Sequence, residues 1–177
     1  MSQPSRSYCV LGVDPGLRVT GYAVLTQPEE RAEPVLLDGG VIRSPEKAPL
    51  ESRLAELHHD LTGIIRQHRP DVMAVENLYS HYKHPRTSIV MAHARGVILL
   101  AASQGGAAVR SYSATELKKS LVGVGRATKA QMQLMVQQRL NLDELPEPPD
   151  LADAIAAAYC HIERALRGRG AAAGSAG

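Results

Sequence analysis

The sequence predicts an α/β domain built on a mixed five-stranded sheet, with its first three strands antiparallel and helices on both faces. Three observations point there. Apolar runs of strand length, joined by short polar connections, fill the opening of the chain. The hydrophobic period then changes to that of helices, with two further short β-rich runs between them. The length of 177 residues suits one compact domain, and 44% hydrophobic with 21% charged residues is the composition of a soluble globular protein.

Taken in order, Tyr8 to Val13 is a continuous apolar run, as expected of a strand buried on both faces. Asp14-Pro15-Gly16 supplies a turn, since proline fixes φ and glycine accepts positive φ. Val19 to Leu25 and Val35 to Ile42 complete an antiparallel meander. Leu50, Leu54, Leu57, Leu61, Ile64 and Ile65 recur at helical spacing in a helix that stops at Pro70. A short strand, "DVMAVE" (71–76), precedes the polar segment "SHYKHPRT" and an Ala-rich helix from about Thr87 to Ser103. Residues 107–113 form a fifth strand. Ser113, with Glu116 three residues on, has capping-box spacing for a helix from Ala114 to Leu121. After the Gly-rich "VGVGR", helices are expected from about Thr128 to Leu140 and from Asp150 to Leu166. The order is β-β-β-α-β-α-β-α-α-α, read as a single domain over 1–168 with a small, polar, disordered tail over 169–177.

Composition narrows the function classes. No apolar run is long enough to span a membrane, and the N-terminus lacks a signal-peptide layout, so a cytoplasmic protein without a membrane partner is expected. Cys9 and Cys160 fall within a predicted strand and helix and are expected to be reduced and buried. They and the seven histidines show no zinc spacing. A net charge of +2 is too small to indicate nucleic acid by itself. Local basic segments at 81–86, 117–120, 125–129 and 163–170 read either as solvated surface or as phosphate contacts.

Four carboxylates stand out by position. Asp14 ends the first strand and Glu76 ends "DVMAVE"; Asp150 and Asp153 open the last helix on neighbouring positions. Each has an ordinary explanation: a turn residue, a strand leaving for solvent, an N-cap and a solvated first turn. Together they allow another. If the first strand neighbours "DVMAVE", Asp14 and Glu76 converge at a sheet edge where ligands gather, and the last helix brings Asp150 and Asp153 over it. Carboxylates so close repel and hold protons unless cations neutralise them. Oxygen-only donors suit Mg²⁺ or Mn²⁺, and two such ions stabilise the attacking and leaving oxygens of a phosphoryl displacement.

The blocks "GVDPGLRVTGYAVL", "AVENLYS", "HARGVILLAA", "LVGVGRATKAQMQLMV" and "DLADAIAAAYCH" together resemble the RuvC family of bacterial Holliday junction resolvases, in order from Cys9 to His161. The resemblance implies an RNase H-like fold, a homodimer, four-way junction DNA as substrate, and cooperation with a branch-migration motor of the RuvA and RuvB type. It also implies a hydrolase of DNA phosphodiesters that uses two Mg²⁺ ions per active site, with Mn²⁺ possible. Asp14, Glu76, Asp150 and Asp153 match the family's catalytic, metal-binding carboxylates. Lys118 and Lys129 match positions that contact DNA, and Lys119 competes with Lys118 for its role. Arg126, Lys83 and Arg86 are further basic candidates for DNA contact. Tyr79 falls at an aromatic position that is typically Phe and stacks at the opened junction; tyrosine keeps the π-face.

Rival readings each have a discriminating experiment or sequence feature. A YqgF-type nuclease of the same fold would separate by its preference among junction, linear duplex and RNA–DNA hybrid. An actin-like or sugar-kinase phosphotransferase shares the D-x-G turn, but needs a second lobe for which this chain has no room, and would bind ATP. A non-catalytic DNA-binding module would have no use for four intact carboxylates.

Overall fold

The computed structural model describes residues 7–28, 33–77 and 85–174, with only the backbone described for Pro85, Arg86 and 169–174. Strands β1 (Tyr8–Asp14), β2 (Val19–Gln27) and β3 (Val35–Arg43) form the expected antiparallel meander. Helix α1 (Leu50–His68) leads to β4 (Val72–Glu76), which pairs with β1 in parallel, and α2 (Pro85–Gln104) leads to β5 (Ala108–Tyr112), parallel to β4. Helices α3 (Ala114–Val122), α4 (Lys129–Leu140) and α5 (Pro149–Gly174) follow. The sheet order is β3-β2-β1-β4-β5, so β1 lies at the centre.

Side-chain alternation divides the core into two layers. Val10, Ala23, Leu25, Ala74 and Tyr112 face α3, α4 and α5. Cys9, Leu11, Val13, Val24, Met73 and Val75 face α1 and α2. Central β1 and β4 are buried on both faces, hence their unbroken apolar runs. Both cysteines are buried thiols outside any disulfide, as expected.

Local signals place the helix ends. Arg69, at φ 48°, closes α1 with its N–H on the Ile65 carbonyl, and Pro70 prevents continuation. Ser113 and Glu116 form the expected capping box at α3. Thr128 and Gln131 form a second one at α4, which the sequence reading passed over although the residue types are right for it. Helix α5 departs from expectation at both ends. It begins at Pro149, a favoured first helical position, which puts Asp150 inside the first turn rather than at the cap. It also continues to Gly174, so the backbone of 169–174 is helical where a disordered tail was expected. Extending an existing helix through alanines is cheap, because the nucleus has already formed.

Candidate active site

Strand parity brings the first two carboxylates together. Val13 pairs with Val75 across the β1–β4 ladder, so Asp14 and Glu76 are the next residues at adjoining strand ends. Asp14 shares the face of Val10, and Glu76 the face of Ala74, so both lie toward the α5 layer. The Asp14 carboxyl does not close its turn. Thr20 does: its hydroxyl donates to the Gly16 carbonyl, and the Gly16 N–H lies 3.3 Å from Thr20 Oγ1.

The second pair arrives on α5, which lies unusually close to the sheet. A Cβ on Gly12 would sit 2.0 Å from the Ala154 carbonyl oxygen and 2.8 Å from the Ala158 nitrogen. A Cβ on Gly21 would sit 2.0 Å from the Asp150 carbonyl oxygen. Two strand positions without side chains therefore admit the helix backbone itself, and Gly21 pairs directly with Asp14. From α4, the buried Gln133 amide donates to the Pro146 carbonyl at 3.0 Å and to Glu147 Oε1 at 2.9 Å. It thereby holds the connection that delivers Asp150.

Asp14, Glu76, Asp153, Lys118 and Lys129 line a cavity of about 250 Å³, walled by Ala114, Leu117 and Met132. Asp150 lies beside it and lines the adjoining groove with Leu17, Arg53 and Met91. Burial, then the charges of Glu76, Asp153 and Asp150, raise the Asp14 pKa to about 8. Burial and Asp153 raise Glu76 to about 7, against the pull of Lys118 and Lys129. Asp153 is also raised, chiefly by burial, although Lys129 Nζ stands 3.8 Å from its Oδ2. The carboxylates thus share one electrostatic environment. Among the described residues, no three His, Cys, Asp or Glu side chains are gathered closely enough to enclose one ion. The chemistry of the set still fits a hard divalent cation: every donor is an oxygen, and positive charge between them would relieve both repulsion and desolvation.

The basic candidates separate by position. Lys118 faces the cavity, whereas Lys119 is on the exposed side of α3. Lys129 reaches Asp153 from the first turn of α4, and Arg126 is exposed in the preceding loop. Arg86 lies in the first turn of α2 with its side chain undescribed, and Tyr79 and Lys83 lie outside the described residues. Sequence reasoning missed Arg95. This α2 side chain bonds the backbone at Glu76, a partner that leaves no mark in a sequence.

The family model described as crossover junction endodeoxyribonuclease RuvC matches residues 10–161. A Rhodopirellula baltica protein of that name is 47% identical over 159 residues, covering 90% of this chain and 88% of its own length. The RuvC structure from Thermus thermophilus superposes with a TM-score of 0.82 at 32% identity, covering 90% of this chain and 96% of that one. The same organism's RuvC in complex with Holliday junction substrate superposes at 0.80 with 29% identity and the same coverage, 90% and 96%.

Proposed function

The chain belongs to the RuvC family of crossover junction endodeoxyribonucleases, and on that premise we propose that it resolves four-way DNA junctions by paired, symmetrical nicks. Each nick is hydrolysis of one phosphodiester to 5′-phosphate and 3′-hydroxyl ends that a ligase can seal, in the course of recombination and DNA repair. The observation that carries this reading is the Asp14 carboxyl, sunk at the C-terminal end of the central strand beside Glu76 and Asp153 and opposite two lysines.

Asp14, Glu76 and Asp153, with Asp150 from the adjoining rim, would hold two Mg²⁺ ions, or Mn²⁺ in their place. Such a pair, when bound, stabilises both the attacking and the leaving oxygen of an in-line displacement. The protein's own groups prepare the site. The raised pKa values of Asp14 and Glu76 mean that both carboxyls give up protons as a cation enters. Lys118 and Lys129 offset the charge of the scissile phosphate and orient the strand. Leu117 and Met132 exclude water from one wall of the cavity. Lys119, Arg126, Lys83 and Arg86 belong to the proposal as outer phosphate contacts, and Tyr79 as a stacking platform.

Two symmetrical cuts call for two sites, hence a two-fold homodimer. The surface that suits a second copy is an apolar patch on α2, where Ile89, Ala92, His93, Gly96 and Leu100 line a shallow groove with Leu54 of α1. Ile89 and Leu100 are 57% and 51% exposed, high for large apolar side chains on one helix face. A cytoplasmic location and a branch-migration motor of the RuvA and RuvB type complete the reading. Among the described residues, no helix is long and apolar enough to cross a membrane.

The test is incubation with a synthetic four-way junction in Mg²⁺ or in EDTA, with linear duplex and RNA–DNA hybrid alongside. Paired nicks at symmetrical positions, in Mg²⁺ only and on the junction only, are expected. Cutting confined to linear or single-stranded DNA would overturn the proposal.

A further inference from the structure

Glu76 pairs with Tyr112 of β5, but on the β1 side the ladder stops at Val13 and Val75, so toward β1 the Glu76 carbonyl lies beyond the last paired position. A carbonyl at such a place needs another donor. Arg95 supplies it: Nη1 donates to the Glu76 carbonyl oxygen at 2.7 Å. The same guanidinium, through Nη2, donates to Ser111 Oγ on β5 at 2.8 Å and reaches Asn77 Oδ1 at 3.3 Å. On the other side, the Asn77 N–H donates to the Tyr112 carbonyl at 2.7 Å. The two polar groups of the Glu76–Asn77 peptide are therefore tied, the N–H to β5 and the carbonyl to α2.

The direction of approach matters. Glu76 shares the face of Ala74 and points toward the α5 layer, whereas Ser111 shares the face of Val109 and lies toward α2. Arg95 stands on α2 and reaches the end of β4 from the face opposite to the carboxylate. A planar fork with several donors can hold a carbonyl and two side-chain oxygens at once; a lysine ammonium is a point charge on a flexible stem.

We infer that Arg95 is a positioning residue, which fixes the peptide carrying Glu76 and so aims its carboxylate into the cavity from behind the sheet. The inference rests on the reading of Glu76 as a cation ligand and extends it to a second layer of support. Groups that orient ligands in this way typically carry about 10- to 100-fold in metal affinity or activity. Arg95 touches neither cation nor DNA in this assignment. Its removal should weaken cation binding while leaving junction binding intact.

The experiment compares wild type, Arg95→Gln, Arg95→Lys, Ser111→Ala and Glu76→Gln, all as full chains. Mn²⁺ binding is measured by calorimetry without DNA, junction binding in EDTA, and the Mg²⁺ concentration for half-maximal cleavage. Arg95→Gln should raise the Mn²⁺ Kd and the Mg²⁺ requirement by about 10- to 100-fold, with junction affinity within about twofold of wild type. Arg95→Lys should recover part of the loss, because it replaces one of the bonds. Where Arg95→Gln fails to fold, Ser111→Ala decides: a several-fold rise in Mn²⁺ Kd supports the inference, and no rise overturns it. Wild-type cation affinity in a folded Arg95→Gln, beside a clear loss in Glu76→Gln, overturns the inference alone. Wild-type affinity in Glu76→Gln overturns the cation-ligand reading, and the inference with it.

Discussion

At the scale of single residues, Asp14 is held where its charge is unwelcome. Its pKa is about 8 in the fold against an ordinary value of 3.8, so without a cation the folded chain binds a proton that the unfolded chain has released. A carboxyl raised in this way gives its full stability at low pH and loses it as pH climbs from about 4 toward about 8. In EDTA the melting temperature should therefore fall over that range, and Mg²⁺ should restore it increasingly toward the alkaline end. Cation affinity should rise in parallel with pH and level off above about 8, as Asp14 and Glu76 no longer have protons to surrender. Asp14→Asn removes the charge in both states. At pH 8 in EDTA it should stabilise the fold by something on the order of a few kcal/mol, while junction cleavage is lost. Calorimetry and a cleavage assay on one preparation check both halves; a variant that melts below wild type at that pH contradicts the electrostatic account.

Among the elements, α5 governs the geometry. It carries two of the four carboxylates, and its distance from the sheet is set by Gly12 and Gly21. Gly12→Ala would drive a methyl into the helix backbone, which has no flexible end to yield, so the whole of α5 must shift. A stability loss of about 1–3 kcal/mol is expected. Displacing Asp153 by even a fraction of the cavity width should cost cleavage by about 100-fold. Gly63→Ala in α1 is the control: nothing lies within 4 Å of the added atom, so it should stabilise the helix by about 0.5–1 kcal/mol and leave cleavage alone. Urea unfolding and single-turnover cleavage measure the contrast. Much of this architecture was legible beforehand. Asp14 and Glu76 each stood out at the end of an apolar run, needing only that the two strands be neighbours, and Ser113 announced the start of α3. What stayed hidden shares a cause. A glycine that admits a helix looks like any other glycine, and Arg95 bonds a backbone oxygen that every residue possesses. Tertiary partners of that kind are invisible to residue type and spacing. The continuation of α5 past 168 was missed because glycine and polar composition outweighed the alanines between them.

For the whole molecule, the apolar patch on α2 predicts an association state. Leu100→Glu places a charge within the proposed two-fold contact and should yield monomers by sedimentation with unchanged helical content. Those monomers should nick junctions singly, without the symmetrical partner cut; a variant that remains dimeric would move the interface elsewhere. On the proposed reading the sheet between the two layers would act as a partition, with cutting on the α5 side and assembly on the α2 side. In β1 and β4 the side of the partition follows the residue number: 10, 12, 14, 74 and 76 lie toward the chemistry, and 9, 11, 13, 73 and 75 lie toward the helices that carry the patch. Mutant phenotypes in these strands should accordingly sort by odd and even. Even-numbered changes should give dimers that bind and do not cut, and odd-numbered ones should give failures of pairing. An arginine that reaches from the odd side to the end of an even residue is where the two classes of phenotype should meet.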